Sequence, residues 1–140
     1  MLRLNKKILL IDDDAEFLEL LEIFLAQEGF DVSSVQSGKD AMAKVEALRP
    51  DLCILDIMMP DLNGMDLLKW LSQHHSDIPV IMLTAKSDAI DKVLALELGA
   101  DDFVTKPPNT HELSARIKAV LRRIESGSTP TSPSREGGML

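Results

Sequence analysis

Residues 8–13 read Ile8-Leu9-Leu10-Ile11-Asp12-Asp13, four apolar residues followed directly by two aspartates. Residues 52–56 repeat this arrangement as Leu52-Cys53-Ile54-Leu55-Asp56, and Lys106 follows Asp102-Phe103-Val104-Thr105. Short apolar runs of this kind are typical of strands that are buried on both faces. If these strands are parallel, their carboxyl ends share one edge of the sheet. The three carboxylates and the ammonium group are then expected at that edge.

The segments between and after the strands have helical spacing of apolar residues. The five predicted helices carry these apolar residues at helical spacing, in chain order: Phe17, Leu20, Leu21, Phe24 and Leu25; Ala41, Val45 and Leu48, an inner stripe; Leu67, Leu68 and Leu71; Ile90, Val93 and Leu94; and Leu113, Ile117, Val120, Leu121 and Ile124, which line one face. The fourth helix is predicted to start at Ser87. Five strand–helix repeats predict an α/β fold, a doubly wound five-stranded parallel sheet with five helices.

Composition limits the function classes. The 140 residues carry 23 acidic and 15 basic side chains, for a net charge of −8, which argues against this chain alone binding a nucleic acid backbone. Its single cysteine excludes an internal disulfide. No apolar stretch is long enough for a membrane span or an export signal, so we expect a cytoplasmic protein without a membrane partner. Residues 1–125 are predicted to form one domain. Residues 126–140, rich in Ser, Thr, Pro and Gly, are predicted to be a disordered tail or an interdomain linker.

The carboxylates suggest a cation site with phosphoryl chemistry. Asp12 and Asp13 repel each other unless a positive group lies between them, and with Asp56 they offer the oxygen ligands that Mg²⁺ prefers. A carboxylate beside such a cation can also attack phosphorus to form an aspartyl phosphate. Lys106 would neutralise the other side of the phosphoryl group, and Thr84 could donate its hydroxyl to it. Asp14, directly before the first helix, is interpreted as a helix N-cap.

Four motifs resemble, in the right order, the receiver domain of two-component response regulators over about residues 6–124. They are Ile11-Asp12-Asp13-Asp14, Leu55-Asp56-Ile57-Met58-Met59-Pro60-Asp61-Leu62-Asn63-Gly64, Leu83-Thr84-Ala85 and Lys106-Pro107. The resemblance implies the CheY-like form of the flavodoxin-like fold. It also implies that Asp56 accepts a phosphoryl group from a phosphohistidine of a sensor histidine kinase.

The resemblance further implies roles for individual residues at this site. Asp13, Asp56 and the backbone carbonyl of Met58 would bind Mg²⁺ or Mn²⁺, and Asp12 would act largely through metal-bound water. Lys106 would pair with Asp56 or its phosphate, aimed there by a cis Lys106–Pro107 bond. The protein would assist its own phosphotransfer and dephosphorylation without being a turnover enzyme.

A conformational switch is implied as well. The hydroxyl of Thr84 would move toward the phosphate, and the aromatic ring of Phe103 would turn inward.

Residues 99–107 and 112–123 resemble the OmpR/PhoB subfamily, whose output is a winged-helix DNA-binding domain. The resemblance implies a homodimer after phosphorylation, formed through the fourth helix, fifth strand and fifth helix. The implied pairs between protomers are Lys92 with Glu112, Asp102 with Arg116, and Asp101 with Arg123, beside an apolar patch of Ile90, Leu94 and Ala115. Transcription control would act through a separate output domain, and both a stand-alone receiver and part of a longer regulator remain open. Pro108 departs from the aromatic residue that is usual after Lys-Pro.

Three other functions are less consistent with the sequence. A phosphatase with an aspartyl-phosphate intermediate would need an acid two residues after its nucleophile, where Met58 stands. A flavodoxin-like cofactor module would need Ser, Thr and Gly after the first strand, where carboxylates would repel a phosphate. A pure interaction domain would not need the intact set of Asp12, Asp13, Asp56, Thr84 and Lys106. His74, His75 and His111 are predicted to lie on the surface, with Trp70 partly exposed.

Overall fold

The computed structural model describes residues 5–85 and 89–125, and for residues 89 and 90 it describes the backbone alone. Strands and helices alternate over these residues. In chain order they are β1 Lys7–Ile11, α1 Ala15–Gln27, β2 Asp31–Val35, α2 Gly38–Leu48, β3 Leu52–Leu55, α3 Gly64–His74, β4 Val80–Thr84, α4 Ala89–Glu97, β5 Asp102–Thr105 and α5 Thr110–Glu125. The predicted helix start at Ser87 and the predicted tail or linker at 126–140 lie outside the described residues.

The strands form one parallel sheet in the order β2-β1-β3-β4-β5. The chain runs from β1 outward to β2 and then returns to the other side of β1 to form β3. The strand order therefore reverses between β1 and β3. In open α/β sheets this point leaves a crevice at the carboxyl ends of the two strands. The predicted fold class is confirmed, and the predicted charged edge lies at this crevice.

Two apolar layers, one on each face of the sheet, form the core. Side chains alternate between the faces along each strand. Leu9, Ile11, Cys53 and Leu55 pack with α2, α3 and α4 on one face. Ile8, Leu10, Leu52 and Ile54 pack with α1 and α5 on the other. Because helices cover both faces, the central strands β1, β3 and β4 lack an alternating polar pattern.

The buried stripes of the helices do not include every apolar residue that stands at the predicted helical spacing. In α1 the buried residues are Leu18, Leu21 and Leu25, whereas Leu20 is 69% exposed. At 3.6 residues per turn, Leu20 lies about 200° around the helix from Leu18, so the two cannot share the inner face. Val93, Leu94 and Ile124, which also stand at the predicted helical spacing, are exposed, and for Leu94 this agrees with its place in the predicted dimer patch. No helix within residues 5–85 and 89–125 is long and apolar enough to cross a membrane.

Candidate functional site

Three predicted carboxylates meet at the crevice between β1 and β3. Ile11 and Leu55 are partners in the parallel register, so the residues that follow them lie side by side. The Asp56 N–H donates to the Ile11 carbonyl at 3.0 Å. One carboxylate oxygen from each of Asp12, Asp13 and Asp56 lies within 4.8 Å of the others. Asp12 and Asp56 are only 3% and 6% exposed, while Asp13 is open to solvent.

Lys106 brings a positive charge to these carboxylates from the end of β5. Its Nζ lies 2.5 Å from Asp12 Oδ2 and 3.3 Å from Asp56 Oδ2. Its backbone N–H donates to the Thr84 carbonyl at 2.9 Å. This bond holds the backbone of Lys106, from which the side chain extends, beside the end of β4. The Lys106–Pro107 peptide bond is cis, as the resemblance implied.

Burial and ion pairing have opposite effects on the pKa values of these charged groups. Burial raises the pKa of Asp12, and the hydrogen bonds from Lys106 and from the Asp14 N–H only partly offset this. Burial also lowers the pKa of Lys106, but its contacts with Asp12 and Asp56 outweigh that effect and leave it above its ordinary value. Three carboxylates face one ammonium group, so negative charge remains in excess. A hard divalent cation with oxygen ligands fits this donor set.

The loop after β3 is folded tightly against the acidic cluster. The Met58 N–H donates to Asp56 Oδ1 at 3.3 Å, which places the Met58 backbone next to the predicted metal site. The Gly64 N–H donates to the Ile57 carbonyl at 2.8 Å. A Cβ at Gly64 would lie 2.1 Å from the Asp56 carbonyl oxygen, so only glycine fits where α3 begins. The turn signals at residues 60–64 therefore mark a close approach to the backbone of Asp56.

Asp61 anchors this loop to α2, a role that the sequence analysis did not predict. Its two carboxylate oxygens accept the N–H groups of Gly38 and Lys39 at 2.8 and 3.1 Å. These bonds satisfy two donors at the helix N-terminus and lower the pKa of Asp61. No local pattern could have revealed the contact, because the partners lie 22 and 23 residues earlier in the chain.

The two predicted switch residues lie on neighbouring strands. Thr84 ends β4 and is fully buried, and its register partner in β5 is Thr105. Phe103, two residues earlier in β5, is buried in the apolar layer on the α2, α3 and α4 side. The ring of Phe103 is therefore inside the protein, and the movement of the two side chains stays a prediction.

Charged residues of the predicted dimer face pair within one chain. Arg116 Nη1 lies 2.8 Å from Asp102 Oδ2, and Arg116 Nη2 lies 2.9 Å from Glu112 Oε2. The Asp101 carboxylate accepts the Val80 N–H at 2.9 Å, and Lys92 is exposed on α4. In the predicted apolar patch, Leu94 and Ala115 are exposed, and the side chain of Ile90 is not among those that the structure describes. The pairs between protomers stay predictions.

The prediction of a surface position is wrong for one of the three histidines. His75 is 7% exposed, and its Nε2 lies 2.9 Å from Glu46 Oε2. Its ring lies against Trp70, with 5.1 Å between the centroids. The end of α3 is packed against α2 here, and the polar ring is buried with a carboxylate partner. His74 and His111 are exposed as predicted.

Comparisons with known proteins agree with the resemblance to response regulator receiver domains. The family model described as the response regulator receiver domain matches residues 8–118. The alkaline phosphatase synthesis transcriptional regulatory protein PhoP of Bacillus subtilis is 48% identical over 122 residues, covering 87% of this chain and 51% of PhoP. The DNA-binding response regulator MtrA of Mycobacterium tuberculosis H37Rv is 48% identical over 120 residues, 86% of this chain and 52% of MtrA. The chain thus spans about half the length of these curated relatives.

Solved structures of receiver domains have the same fold. The CheY-like receiver domain protein from Methanospirillum hungatei gives a TM-score of 0.85 at 31% identity, covering 89% of this chain and 99% of its own. The beryllofluoride-activated N-terminal receiver domain of RstA from Klebsiella pneumoniae gives a TM-score of 0.80 at 33% identity, covering 83% of this chain and 98% of its own. With its sheet order, its acidic cluster and these matches, the chain belongs to the receiver domains of two-component response regulators.

Proposed function

We propose that Asp56 is the phosphoacceptor of this receiver domain and takes its phosphoryl group from the phosphohistidine of a sensor histidine kinase. The observation that carries this proposal is the convergence of Asp12, Asp13 and Asp56 within 4.8 Å, with the Lys106 ammonium against two of them. Asp56 is held in place by a backbone bond to β1 and by the closely packed loop that follows it.

In the transfer, a carboxylate oxygen of Asp56 forms a bond to phosphorus while the bond from phosphorus to the donor histidine nitrogen breaks. Asp13, Asp56 and the Met58 carbonyl would hold Mg²⁺ or Mn²⁺, with Asp12 acting largely through metal-bound water. When bound, the cation would neutralise charge on the phosphoryl oxygens. Lys106 is already within 3.3 Å of Asp56 and supplies the second positive charge. The Thr84 hydroxyl is the proposed donor to a phosphoryl oxygen.

The proposed output of this reaction is a conformational change at one face of the domain. Thr84 and Phe103 would carry the change from Asp56 to the face formed by α4, β5 and α5, where two phosphorylated copies would pair. Residues 1–125 are the proposed receiver, with residues 126–140 as a tail or linker to a separate DNA-binding output domain. The printed names of PhoP and MtrA describe transcriptional and DNA-binding regulators, which supports this assignment. The chain would act in the cytoplasm as a phosphorylated signalling protein, and it would not be a turnover enzyme.

Incubation with Mg²⁺ and acetyl phosphate, followed by intact mass measurement, tests the acceptor. We expect the wild-type chain to gain one phosphoryl group. We expect Asp56→Asn to gain none, because an amide oxygen is a far weaker nucleophile than a carboxylate. Chelation of the metal should reduce the phosphorylated fraction by at least tenfold, since the excess negative charge at the cluster would repel the donor.

Asp14→Asn is the matched control for loss of one carboxylate at this edge. Asp14 caps α1 by accepting the Phe17 N–H at 3.1 Å, and asparagine caps equally well, so this variant should be phosphorylated like the wild type. Phosphorylation that persists in Asp56→Asn, or a wild-type chain that gains no mass, would rule out the proposed acceptor.

A further inference from the structure

Phe17 lies against the charged site, although its sequence position indicated only a core residue of α1. The Nζ of Lys106 lies over the Phe17 ring, 4.5 Å from its centroid. The ring is half-buried and lines a cavity of about 10 Å³ together with Asp12, Asp56 and Leu83. A cavity of this size is at the lower limit of the space that one bound water needs. The ring face therefore covers one side of the ammonium group.

The ammonium group can donate three hydrogen bonds and can accept none. Asp12 and Asp56 accept hydrogen bonds from it at 2.5 and 3.3 Å. The face of an aromatic ring is negative and attracts a cation within about 6 Å, so Phe17 is a third partner. Its place is set locally, because the Asp14 carboxylate accepts the Phe17 N–H and fixes the first turn of α1.

We propose that Phe17 is a positioning residue for Lys106, whose ring face holds the ammonium group directed at Asp56 and away from solvent. The inference rests on the proposed role of Asp56 as phosphoacceptor. A lysine side chain is a flexible four-carbon stem with a strongly hydrated end. Without the ring, this end reaches water more often, and the positive charge stands beside Asp56 for a smaller part of the time. We expect a fall of about fivefold in the initial rate of phosphorylation, the scale of one partly desolvated cation–π contact.

Two substitutions separate the ring face from the bulk of the side chain. Phe17→Leu keeps an apolar side chain without a π face, and Phe17→Tyr keeps the ring. Phe24→Leu is the matched control on the same helix, since Phe24 is also half-buried and lies against His111, with 5.5 Å between the ring centroids. The Phe24 control should lose thermal stability much as Phe17→Leu does while its rate of phosphorylation stays at the wild-type value.

The readouts are the initial phosphorylation rate with acetyl phosphate, the Mg²⁺ concentration for half-maximal rate, and the NMR shift of the Lys106 ε-methylene group. We expect Phe17→Leu to lower the maximal rate about fivefold with an unchanged half-maximal Mg²⁺ concentration, because the interaction that is lost is the cation–π contact with Lys106, which is not a proposed metal ligand. The ring-current shift at Lys106 should disappear in Phe17→Leu and persist in Phe17→Tyr, which should also recover the rate.

A wild-type rate in Phe17→Leu, or an equal loss in Phe24→Leu, would overturn the positioning role. The same holds for a Lys106 shift that does not change when the ring is removed. This NMR shift is measured without any phosphodonor. A wild-type chain that gains no phosphoryl group would therefore contradict the proposed function, while the shifts still decide whether Phe17 holds Lys106.

Discussion

At the scale of single residues, Cys53 shows how strongly the core beneath the site is shielded. It lies in β3, three residues before Asp56, and is fully buried between the sheet and its helices. Burial raises the pKa of its thiol from 9.0 to about 12, because the thiolate loses the solvation it would have in water. The thiol is therefore neutral and inert in the folded chain.

We predict that a thiol reagent such as DTNB at pH 8 modifies Cys53 only when the chain unfolds. The labelling rate in the native protein should stay at least a hundredfold below the rate in urea, because neither the reagent nor hydroxide reaches the sulfur. Fast labelling of a chain that keeps its native circular dichroism spectrum would contradict the burial of this strand.

The same thiol should produce a pH dependence of stability. The unfolded chain loses the proton near pH 9 and the folded chain near pH 12, so the unfolded state binds fewer protons between these values. The free energy of unfolding therefore falls as the pH rises through that window, and the contribution is constant below pH 9. Cys53→Val, which lacks the proton, should show a smaller decline in parallel urea titrations.

At the scale of elements, the C-terminal ends of α1 and α2 use different residues for the same turn. Gly29 follows α1 with φ of 97°, and Arg49 ends α2 with φ of 53°. The left-handed region costs a residue with a Cβ about 1–2 kcal/mol, and glycine avoids this cost. The Arg49 N–H donates to the Val45 carbonyl at 2.9 Å, so the turn forms in spite of the strain.

We predict that Arg49→Gly raises the free energy of unfolding by about 0.5–1 kcal/mol, since the relieved strain exceeds the backbone entropy that glycine loses. Gly29→Ala is the reverse control. Among the described residues, no heavy atom beyond Gly29 and its two chain neighbours lies within 4 Å of a Cβ at that position, so its expected loss of about 1 kcal/mol would come from the backbone alone. Urea denaturation of both variants measures the two effects, and changes of the same sign would contradict the explanation.

At the scale of the whole molecule, the proposed dimer must replace contacts that each chain already makes. Asp102 and Glu112 both bind Arg116 within one chain, so pairing between protomers exchanges ion pairs more than it adds them. Each exposed pair contributes only about 0–1 kcal/mol. The exposed apolar side chains of Val93, Leu94 and Leu96 on α4 then have to supply the stabilisation through burial.

We predict that beryllofluoride with Mg²⁺ doubles the mass of the chain measured by light scattering, while the chain without it stays a monomer. Lys92→Glu should weaken the dimer at least fivefold, because it places a negative charge opposite Glu112 of the second copy. Lys69→Glu makes the same charge change at an exposed position on α3 and should leave the dimer intact. A monomer at high concentration with beryllofluoride bound would contradict the proposed face.

The sequence by itself determined the features that depend on near neighbours in the chain. Apolar runs identified the strands, the cap at Asp14 marked the start of α1, and the motif order placed Asp12, Asp13 and Asp56 at one edge. Such patterns are local, because burial on a sheet and capping of a helix involve residues a few positions apart.

Contacts between distant parts of the chain were decided only by the tertiary structure. Lys106 and Asp12 are 94 residues apart, and Asp61 and Gly38 are 23 apart. His75 and Glu46, which no sequence pattern paired, are 29 residues apart. The order of the strands and the packing of the helices bring each pair together, and the ring of Phe17 reaches Lys106 for the same reason. The sequence predicts which charges gather at the sheet edge, but only the packed chain determines which group each one touches.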